Sequence, residues 1–389
     1  MACTHQYDSV RQVGSQHLAR QFLKDGWTVY YISAPMTPLH LAAGISPEIK
    51  ARWKNTFSGW QQLELKNLYY LTPFSLFAPD GRPVLRSALL IRYWHHFIFP
   101  LFHSGIKKPL PDEVDLLYID NIFLDFLLEV IHFKKSVFRV ADIHHTFPGW
   151  GMRTLPLARK IAQQVDLTVY AAAGHAEYVN NLVPKQSLYL PNGVDYEYFA
   201  ADSEHPPVGD KVRQVLDGIS RPIVLYTGAI DERIDFDLIV YAAKSLPHIS
   251  FVFIGPVDGE YSFTDSIANI HLSGSVSHHV LPWFIKQAVI GIIPFSPVQA
   301  ESRIKGTNPL KMLEYLACGL PVLSYQWPEV ERVDCPVFLY KTREEFVNNI
   351  IEIINSDYDS SPCRQYARKQ SWINRYNNLK DVLFSGVSN

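Results

Sequence analysis

The sequence predicts an α/β protein of two domains, each built on a mostly parallel β-sheet that helices cover on both faces. Short, nearly continuous apolar segments alternate with helical patterns along the whole chain, which is typical of parallel strands buried on both sides. A length of 389 residues accommodates two domains at roughly 100–200 residues each. The alternation breaks once, at the polar and proline-rich residues 202–207, which we interpret as a linker.

The first half of the chain carries the first series of elements. Apolar residues recur at helical spacing over residues 10–23, and a second helix is predicted at residues 122–131. Strands are predicted at residues 27–33, 116–119, 137–141, 167–170 and 187–190. Only residues 1–5 are available for a strand before the first helix, so we expect an opening strand that is either very short or lies before the first residue of this sequence.

The second half repeats the alternation. Strands are predicted at residues 222–226, 250–254, 269–272, 289–293 and 321–324, and helical patterns separate them. Open parallel sheets bind their ligands beyond the carboxyl ends of the strands. The loops that follow these strands are therefore the places where we expect a functional site.

Composition and charge exclude several classes of protein. Lys and Arg number 36 against 38 Asp and Glu, and the net charge of −2 argues against a dedicated nucleic-acid-binding protein. The four cysteines are far apart and form no CxxC pair, which favours a reducing compartment over a disulfide framework or a zinc module. No signal peptide is recognisable, and the longest apolar segment, residues 87–102, is too short and too polar to span a bilayer. We expect a cytoplasmic protein, either free or peripheral at the inner face of a membrane.

The strongest local motif surrounds Lys311. It predicts a helix in which Asn308 is the N-cap and Pro309 and Leu310 open the first turn. The free N–H groups and the dipole at a helix start can bind an anion, and Lys311 adds a full positive charge there. A diphosphate at this place would leave Glu314, one turn further on, within reach of a sugar hydroxyl. The alternative is a well-capped surface helix with an ordinary lysine and glutamate.

A second motif follows the strand predicted at residues 222–226. Gly228, with Ala229 beside it, would let a ligand approach the backbone closely. Arg233 could hold a phosphate through two parallel hydrogen bonds. The alternative is a tight strand-to-helix turn with a solvated arginine. Neither GxGxxG nor GxxxxGK[ST] occurs, so no dinucleotide or P-loop motif is present.

A third motif follows the strand predicted at residues 137–141. Asp142 lies where a carboxylate could act as a general base, and His144 and His145 are alternative bases or phosphate partners. The alternatives are an aspartate that caps the next helix and histidines that are partly buried and hydrogen bonded. No third ligand stands at a suitable spacing from the histidine pair, so we expect no metal site.

Residues 82–108 combine many aromatic and aliphatic side chains with five basic ones. A segment of this composition can lie on an anionic lipid surface, and the acceptor of a transfer reaction could then be lipid-linked. The alternative is a core helix with flanking basic residues.

In their order along the chain, these motifs resemble those of the GT-B glycosyltransferases. The resemblance is carried by LPNGVD at residues 190–195, by the Gly228–Ala229 turn after a strand, and by NPLKMLEYLACGLPV at residues 308–322. QHLA at residues 16–19 and SWINR at residues 371–375 are similar as well. The sequence is similar to bacterial polysaccharide glycosyltransferases, such as those of teichuronic acid synthesis and the glucuronosyltransferase of xanthan assembly.

The resemblance implies two Rossmann-like domains that face each other across a cleft. Residues 1–200 would form the acceptor-binding domain, and residues 210–368 would form the domain that binds the nucleotide sugar. A helix at about residues 368–384 would cross back, so that residues 369–389 pack on the first domain.

The resemblance also implies roles for single residues. Gly228 and Ala229 match the loop beneath the donor phosphates, Lys311 the contact to the diphosphate, and Glu314 the carboxylate that binds the ribose. The full set of expected donor-binding residues is Gly228, Ala229, Arg233, Asn308, Pro309, Leu310, Lys311 and Glu314. Asp142 matches the base of the inverting xanthan enzyme, and His144 stands beside it as a second catalytic candidate. Retaining relatives carry a further glutamate where this chain has Gly306, which favours inversion.

The implied reaction moves a sugar from a nucleotide diphosphate sugar, most simply a UDP-sugar, to a saccharide or lipid-linked saccharide, without cofactor or metal. Three alternatives remain. A retaining transferase would need its second carboxylate elsewhere. A nucleotide-sugar 2-epimerase of the same fold would consume the donor without an acceptor and would use a cleft histidine. A non-catalytic sugar-binding module would bind free sugar but no nucleotide.

Overall fold

The computed structural model describes residues 1–9, 12–42, 47–62, 67–99, 110–147, 149–201, 208–299, 308–334 and 337–384. The chain divides into two compact units. The N-terminal unit comprises Met1–Pro191 and Tyr376–Asn389, and the C-terminal unit comprises Asn192–Arg375. The linker predicted at residues 202–207 and the position of Gly306 lie outside the described residues.

A mostly parallel eight-stranded sheet forms the centre of the N-terminal unit. The strands of this unit are β1 Ala2–Cys3, β2 Val29–Ser33, β3 Gln61–Gln62, β4 Leu68–Leu71, β5 Phe74–Ser75, β6 Ile98–Phe99, β7 Glu113–Ile119, β8 His132–Val140, β9 Leu167–Tyr170 and β10 Ser187–Tyr189. The order in the sheet is β10-β9-β8-β7-β1-β2-β4-β3, and only the β3–β4 pair is antiparallel. Strands β5 and β6 pair with each other as a separate antiparallel ribbon.

The helices of the N-terminal unit are α1 Gly14–Lys24, α2 Pro38–Ala42, α3 Pro47–Phe57, α4 Ala88–Tyr93, α5 Leu127–Val130, α6 Leu155–Gln164 and α7 Ala176–Asn181. Short 3₁₀ helices at Trp94–Phe97, Ile122–Leu124, His144–Thr146 and Gly151–Thr154 join them. The apolar sides of β7, β8 and α6 pack together in one buried cluster.

The opening strand of the N-terminal sheet is very short. Ala2 pairs with Ile32 of β2 on one side and with Ile119 of β7 on the other, so β1 lies in the middle of the sheet. Ala2 and Cys3 are both fully buried. Two residues are too few to show a strand pattern, and only their pairing defines the strand.

The C-terminal unit contains a six-stranded sheet in which all pairs are parallel. Its strands are β11 Ile223–Thr227, β12 Ser250–Ile254, β13 Ile270–Leu272, β14 Ile290–Ile293, β15 Val322–Tyr325 and β16 Phe338–Tyr340, in the order β13-β12-β11-β14-β15-β16. Its helices are α8 Tyr196–Ala200, α9 Asp210–Arg213, α10 Phe236–Ser245, α11 Leu281–Lys286, α12 Pro297–Gln299, α13 Leu310–Cys318, α14 Arg343–Asn355 and α15 Ser361–Lys369. All residues of β11, β12 and β14 are buried, as expected for a parallel sheet covered on both faces.

The last helix, α16 Trp372–Phe384, belongs to both units. Its residues up to Arg375 are part of the C-terminal unit, and those from Tyr376 onward are part of the N-terminal unit. The ring of Tyr376 meets Phe22 of α1 edge-on at 4.9 Å between centroids. Nζ of Lys380 donates to the carboxylate of Asp25 over 2.6 Å.

Every strand predicted from the apolar segments is present, which confirms the α/β class. Three helix predictions need correction. The helix predicted at residues 122–131 is a 3₁₀ helix followed by the short α5. The side chain of Asn121 accepts a hydrogen bond from the amide of Phe123, and the backbone carbonyl of Asp125 accepts one from the amide of Leu128, so turns replace a continuous α-helix here. The first helix begins at Gly14 and ends at Lys24. The helix predicted at residues 368–384 is interrupted at Gln370 and begins anew at Trp372.

Candidate functional site

The candidate donor site lies at the carboxyl ends of β11 and β14, where the strand order of the C-terminal sheet reverses. Strand β11 comes first in this unit, with β12 on one side of it and β14 on the other. In open parallel sheets, ligands bind in the crevice at such a reversal. Gly228 follows β11 directly, with a φ of 127° that favours glycine. The Gly228 motif therefore stands where the fold itself favours a ligand.

The backbone at Gly228 is packed too closely for a side chain. A Cβ on Gly255 would lie 1.8 Å from the carbonyl oxygen of Gly228, and a Cβ on Gly228 would lie 3.0 Å from Nζ of Lys311. The hydroxyl of Tyr226 donates to the carbonyl oxygen of Ala229 over 2.9 Å and fixes the turn. Glycine at position 228 thus lets Lys311 reach the loop after β11.

Lys311 is held against two aromatic rings. Its Nζ donates to the hydroxyl of Tyr226 over 2.7 Å. The same atom lies 4.1 Å from the ring centroid of Tyr226 and 5.1 Å from that of Phe295. A cation over an aromatic face is attracted by the ring quadrupole. The lysine is therefore positioned before any ligand arrives.

The position of Lys311 alters its charge. Burial and, to a smaller extent, the positive charge of Arg233 lower the pKa of Lys311 to about 7, while the carboxylates of Glu314 and Asp231 act in the opposite direction. At neutral pH the amine is thus divided between its charged and neutral forms. An anion bound beside Nζ would favour the charged form.

Arg233 has a partner that the motif alone did not predict. Its Nε and Nη2 donate to the two carboxylate oxygens of Asp231 over 2.8 and 2.6 Å. Burial opposes ionisation of Asp231, but the hydrogen bonds from Arg233 outweigh it and lower the pKa of this carboxyl. The edge of the guanidinium that we expected to hold a phosphate is therefore occupied by Asp231. Arg233 contributes positive charge to the site, and a bidentate phosphate contact would require the pair to separate.

The start of α13 differs from the expectation by one residue. The N-cap is Pro309, not Asn308, and Leu310 is the first helical residue. The side chain of Asn308 donates to the carboxylate of Glu329 over 3.1 Å, and its carbonyl oxygen accepts from the side chain of Asn192 over 2.9 Å. These partners, distant in sequence, keep Asn308 from capping the helix.

Glu314 is hydrogen bonded to a histidine that the sequence did not single out. Oε1 of Glu314 lies 3.0 Å from Nε2 of His278, and both side chains are mostly buried. The ring of His278 packs edge-on against Phe199 of α8 at 5.6 Å. One carboxylate oxygen of Glu314 is thus held in place by a side chain of the C-terminal unit. No local pattern marks His278, since it lies far from Glu314 in sequence.

Asp142 and His144 lie in the N-terminal unit, after β8. Asp142 is exposed at a bend, and the 3₁₀ helix His144–Thr146 follows it. Burial lowers the pKa of His144, and the charges of Asp142 and Asp120 oppose that shift. His144 is hydrogen bonded to the backbone of Asp142. The two candidates therefore adjoin each other, with the aspartate open to solvent and a mostly neutral imidazole beside it.

Asp120, directly after β7, is a buried acidic residue that the sequence analysis passed over. Its Oδ1 accepts from the amide and the hydroxyl of Thr4, each over 3.1 Å. Nη1 of Arg139 lies 3.9 Å from its Oδ2, and both side chains are buried. Its place after a buried strand, like that of Asp142, was the available signal. Through Thr4 and Arg139, Asp120 links the carboxyl ends of β1, β7 and β8. A ligand of this unit would bind at this edge of the sheet.

Within the described ranges, no group of three or more His, Cys, Asp and Glu side chains is arranged to hold a metal ion. None of the helices in that part of the chain is long and apolar enough to cross a membrane.

Residues 233–377 match the protein family described as glycosyl transferase-like. They include Arg233 and the α13 motif around Lys311 and Glu314. The chain is also 27% identical, over 237 residues, to TuaH of Bacillus subtilis strain 168, which is named as a glycosyltransferase of teichuronic acid biosynthesis. That match covers 55% of this chain and 57% of the length of TuaH, so it spans little more than half of either protein.

Solved structures match over nearly the whole chain. Alr3699/HepE of Anabaena, in complex with UDP and glucose, superposes with a TM-score of 0.61 at 13% identity and 99% coverage of both chains. A UDP-forming α,α-trehalose-phosphate synthase of Burkholderia vietnamiensis gives 0.64 at 12% identity, covering 100% of this chain and 96% of its own. A glycosyltransferase of Rickettsia africae gives 0.62 at 13% identity, with coverage of 100% and 98%. At these identities the likeness establishes the fold.

The two mostly parallel sheets, the family match at residues 233–377 and the similarity to TuaH confirm the resemblance drawn from the motifs. The chain has the GT-B fold, and it is similar to a glycosyltransferase named for teichuronic acid biosynthesis.

Proposed function

We propose that this protein transfers a sugar from a UDP-sugar to a hydroxyl group of a saccharide or lipid-linked saccharide during polysaccharide synthesis. The observation that carries the proposal is the meeting of Gly228, Lys311 and the start of α13 at the strand reversal of the C-terminal sheet. The uridine part of the donor is supported by the UDP complex of the similar Anabaena protein. The polysaccharide part is supported by the name of TuaH.

The diphosphate would lie over Gly228, against Lys311 and the first turn of α13. Gly228 has no side chain to hinder its approach, and a lysine with a fixed amine can contact its oxygens. The helix start adds N–H groups and the positive end of its dipole. Glu314 lies one turn along α13 and would accept hydrogen bonds from the ribose hydroxyls. Ala229, Asn308, Pro309 and Leu310 would shape the same cradle.

Departure of the nucleoside diphosphate is the step that these charges would assist. The bond between the anomeric carbon and the diphosphate oxygen breaks while the acceptor oxygen bonds to that carbon. Negative charge develops on the leaving diphosphate, and preorganised positive groups stabilise it. Lys311 and the start of α13 would supply this stabilisation, and Arg233 would add to it where its pair with Asp231 separates.

The acceptor would bind in the N-terminal unit. A cavity of about 360 Å³ opens at the carboxyl ends of β1, β2 and β7, and its polar lining includes His5, Thr37, His40 and Asn121. A lining rich in hydroxyl, imidazole and amide groups suits a sugar. Asp142 would take the proton of the attacking hydroxyl, with His144 as the neighbouring base, and the sugar configuration would invert. General bases typically contribute about 10²–10⁴-fold to a rate.

A lipid-linked acceptor would bring the protein to a membrane. The basic and apolar segment at residues 82–108 is the region that would make this contact. The described part of this segment ends at Phe99.

Calorimetric titration with UDP tests the donor site. The wild-type chain should bind UDP, and Lys311→Ala should weaken the affinity by about tenfold or more, since hydrogen bonds to charged groups contribute about 1.5–3 kcal/mol. Lys244→Ala is the matched control, because Lys244 is an exposed lysine at the end of α10 in the same unit. Circular dichroism and thermal unfolding would show that each variant is folded.

Three outcomes would contradict the proposal in different ways. Equal UDP binding by wild type and Lys311→Ala would mean that the diphosphate does not bind at this site. Binding of a free sugar without any nucleotide would replace the transferase with a sugar-binding protein. Consumption of a UDP-sugar in the absence of any acceptor would favour the epimerase alternative.

A further inference from the structure

The exposed apolar side chains of this protein are concentrated in one region of the N-terminal unit. Of the 17 large apolar side chains that are exposed in the described part of the chain, seven lie between residues 76 and 99. They are Leu76, Phe77, Val84, Leu89, Tyr93, Phe97 and Phe99. Large exposed apolar patches mark interaction sites, whereas single exposed residues need no explanation.

Helix α4 lies in the middle of this region and buries none of its residues. Its sequence is ALLIRY, and Leu89 is 74% exposed. The hydroxyl of Ser87 caps the helix by accepting from the amide of Leu90 over 3.3 Å. Leu90 packs against the buried cluster of the unit, while Leu89 and Tyr93 are exposed one turn apart, so part of the apolar surface of this capped helix is left for a partner.

A second chain segment joins this region. Nη1 of Arg86 donates to the carbonyl oxygen of Gly149 over 2.9 Å. A Cβ on Gly149 would lie 2.5 Å from the carbonyl oxygen of Gly81, so the two backbones are in direct contact. The exposed side chains of Phe147 and Met152 flank Gly149 in sequence. The loop that carries Asp142 and His144 thus continues into the same surface.

The polar part of this region carries net positive charge. A groove of about 1270 Å³ beside α4 is lined by four cationic side chains and two carboxylates. The four cations are Arg86, Arg92, Arg153 and Lys160, and the two carboxylates are Asp125 and Glu129. Lys160 pairs with both carboxylates at 2.9 Å. The three arginines form no ion pair within the described residues, so their charge is available to an anionic partner.

We propose that this docking surface, made of the seven apolar residues above with Phe147, Met152, Arg86, Arg92 and Arg153, binds the anionic face of a lipid bilayer. The aromatic and aliphatic side chains would enter the interfacial layer, where aromatic rings are favoured. The arginines would contact lipid phosphates from the groove. Three arginines that form no ion pair within the described residues, in a groove beside exposed apolar side chains, complement an anionic lipid surface better than a second copy of the same positively charged patch.

Docking would have a consequence for the reaction, and this part rests on the proposed function. Arg86 and Gly81 connect α4 to the segment after His144, so a bilayer bound at α4 would also lie beside the loop that carries Asp142. A lipid-linked acceptor would then meet the candidate base without leaving the membrane. Vesicle binding itself does not depend on this step.

Co-sedimentation with sucrose-loaded vesicles tests the docking surface with the full chain. Vesicles of phosphatidylcholine alone are compared with vesicles that contain about one third phosphatidylglycerol, at low and high salt. The wild-type chain should bind the anionic vesicles and lose affinity as salt rises. Leu89→Ser combined with Phe99→Ser should reduce binding by about tenfold or more, since both side chains are exposed and would be buried in lipid.

Charge reversal tests the arginines separately. Arg92→Glu combined with Arg153→Glu should reduce binding to anionic vesicles by about tenfold or more and leave weak binding to neutral vesicles unchanged. Ile351→Ser and Lys369→Glu, which change exposed residues of α14 and α15, are the matched controls and should bind like wild type. UDP affinity is measured for every variant and should not change, so failure of docking and failure of the donor site are distinguishable.

Two results would overturn the proposal. The first is absence of vesicle binding by the wild type, or equal binding by wild type and both double variants. The second is a wild-type dimer in light scattering that the Leu89 and Phe99 changes convert to a monomer, because a second copy would then cover this surface.

Discussion

At the scale of single residues, we expect the charge of Lys311 to set the pH range in which the proposed donor site can receive a diphosphate. The pKa of Lys311 is about 7 in the ligand-free chain, below its ordinary 10.5. A bound diphosphate would raise this pKa, so UDP binding takes up a proton and weakens as pH rises through about 7 to 9. In the same window the unfolded chain binds more protons than the folded one, and this residue makes the free chain more stable as pH rises.

Lys311→Ala is the reference for this pH dependence. The terminal phosphate of UDP itself titrates at about pH 6, and its part of the pH dependence of UDP binding is the same in the variant. The measured quantity is therefore the ratio of UDP dissociation constants for variant and wild type, followed by calorimetry across pH. We expect the ratio to shrink towards high pH. A constant ratio would mean that Lys311 keeps its charge throughout.

Gly228 acts through Lys311 as well as through its own backbone. In Gly228→Ala, the new methyl group would lie 3.0 Å from Nζ and 3.2 Å from Cε of Lys311, at a φ of 127°. We expect UDP affinity to fall about tenfold, with a loss of stability of about 1–2 kcal/mol from the strained backbone. The same change made in the Lys311→Ala background should cost little further affinity. Additive losses in that double-mutant cycle would show that the methyl group blocks the ligand directly.

We expect a positioning role for His278 at the same site, since it holds one oxygen of Glu314. His278→Ala should weaken UDP binding about fivefold and leave pyrophosphate binding unchanged, because only the nucleoside part would use Glu314 in the proposed site. His278→Gln keeps a side-chain donor and should restore part of the affinity. Competition titrations with UDP, uridine and pyrophosphate separate the contributions. A parallel loss for pyrophosphate would indicate a general disturbance of the α13 region.

The residues of the site were partly visible in the sequence. Lys311 and Gly228 could be found because a glycine after a strand and a lysine at a helix start carry their chemistry locally. The occupation of Arg233 by Asp231 could have been suspected from their spacing. The bonds of Asn308 to Glu329 and of Glu314 to His278 depend on side chains far away in sequence, so only the folded chain reveals them. The roles of the donor-site residues, like those of Asp142 and His144, stay predictions.

At the scale of elements, helix α13 depends on how its carboxyl end is closed. Gly319 has a φ of 79°, and a Cβ there would lie 2.5 Å from Nε of Arg364. Nη2 of Arg364 donates to the carbonyl oxygen of Cys318 over 2.7 Å. Gly319→Ala should therefore destabilise the chain by about 2–3 kcal/mol through backbone strain and the displaced arginine.

Gly218→Ala separates these two causes. Gly218 has a φ of 77°, nearly the same as that of Gly319, and nothing lies within 4 Å of the position of its Cβ. Urea unfolding should show only the cost of strain for Gly218→Ala and a larger loss for Gly319→Ala. If both variants lose the same stability, contact with Arg364 contributes nothing to the end of α13.

The elements that the sequence predicted are those with a strong pattern of their own. Strands such as β11 and β14 are continuous apolar segments, which only a sheet buried on both faces explains. Of the strands that escaped prediction, β3 is the dipeptide Gln61–Gln62, whose strand character comes from its pairing with β4 and not from a local pattern. Strand β4, Leu68–Leu71, is an apolar segment that was not predicted although it is as long as β9.

At the scale of the whole molecule, the N-terminal unit is discontinuous in sequence. It needs the second part of α16 to cover its own core, since Tyr376, Leu379 and Leu383 are buried. The hydroxyl of Tyr376 and the amine of Lys380 both donate to Asp25, and they lower the pKa of this carboxyl to about 2. The unit therefore cannot be completed until α16 has been synthesised.

This discontinuity predicts that a change near the end of the chain destabilises its beginning. Leu379→Ala removes a fully buried side chain and should destabilise the N-terminal unit by about 2–5 kcal/mol. Asn378→Ala, on the exposed side of the same helix, is the control and should have little effect. Pulse proteolysis in urea with mass spectrometry identifies which residues are cleaved first. In Leu379→Ala, cleavage within residues 1–191 should begin at a lower urea concentration than in the wild type. UDP binding by the C-terminal unit should persist at urea concentrations below that at which this unit itself unfolds. Earlier cleavage confined to residues 192–375 would instead show that α16 stabilises the C-terminal unit.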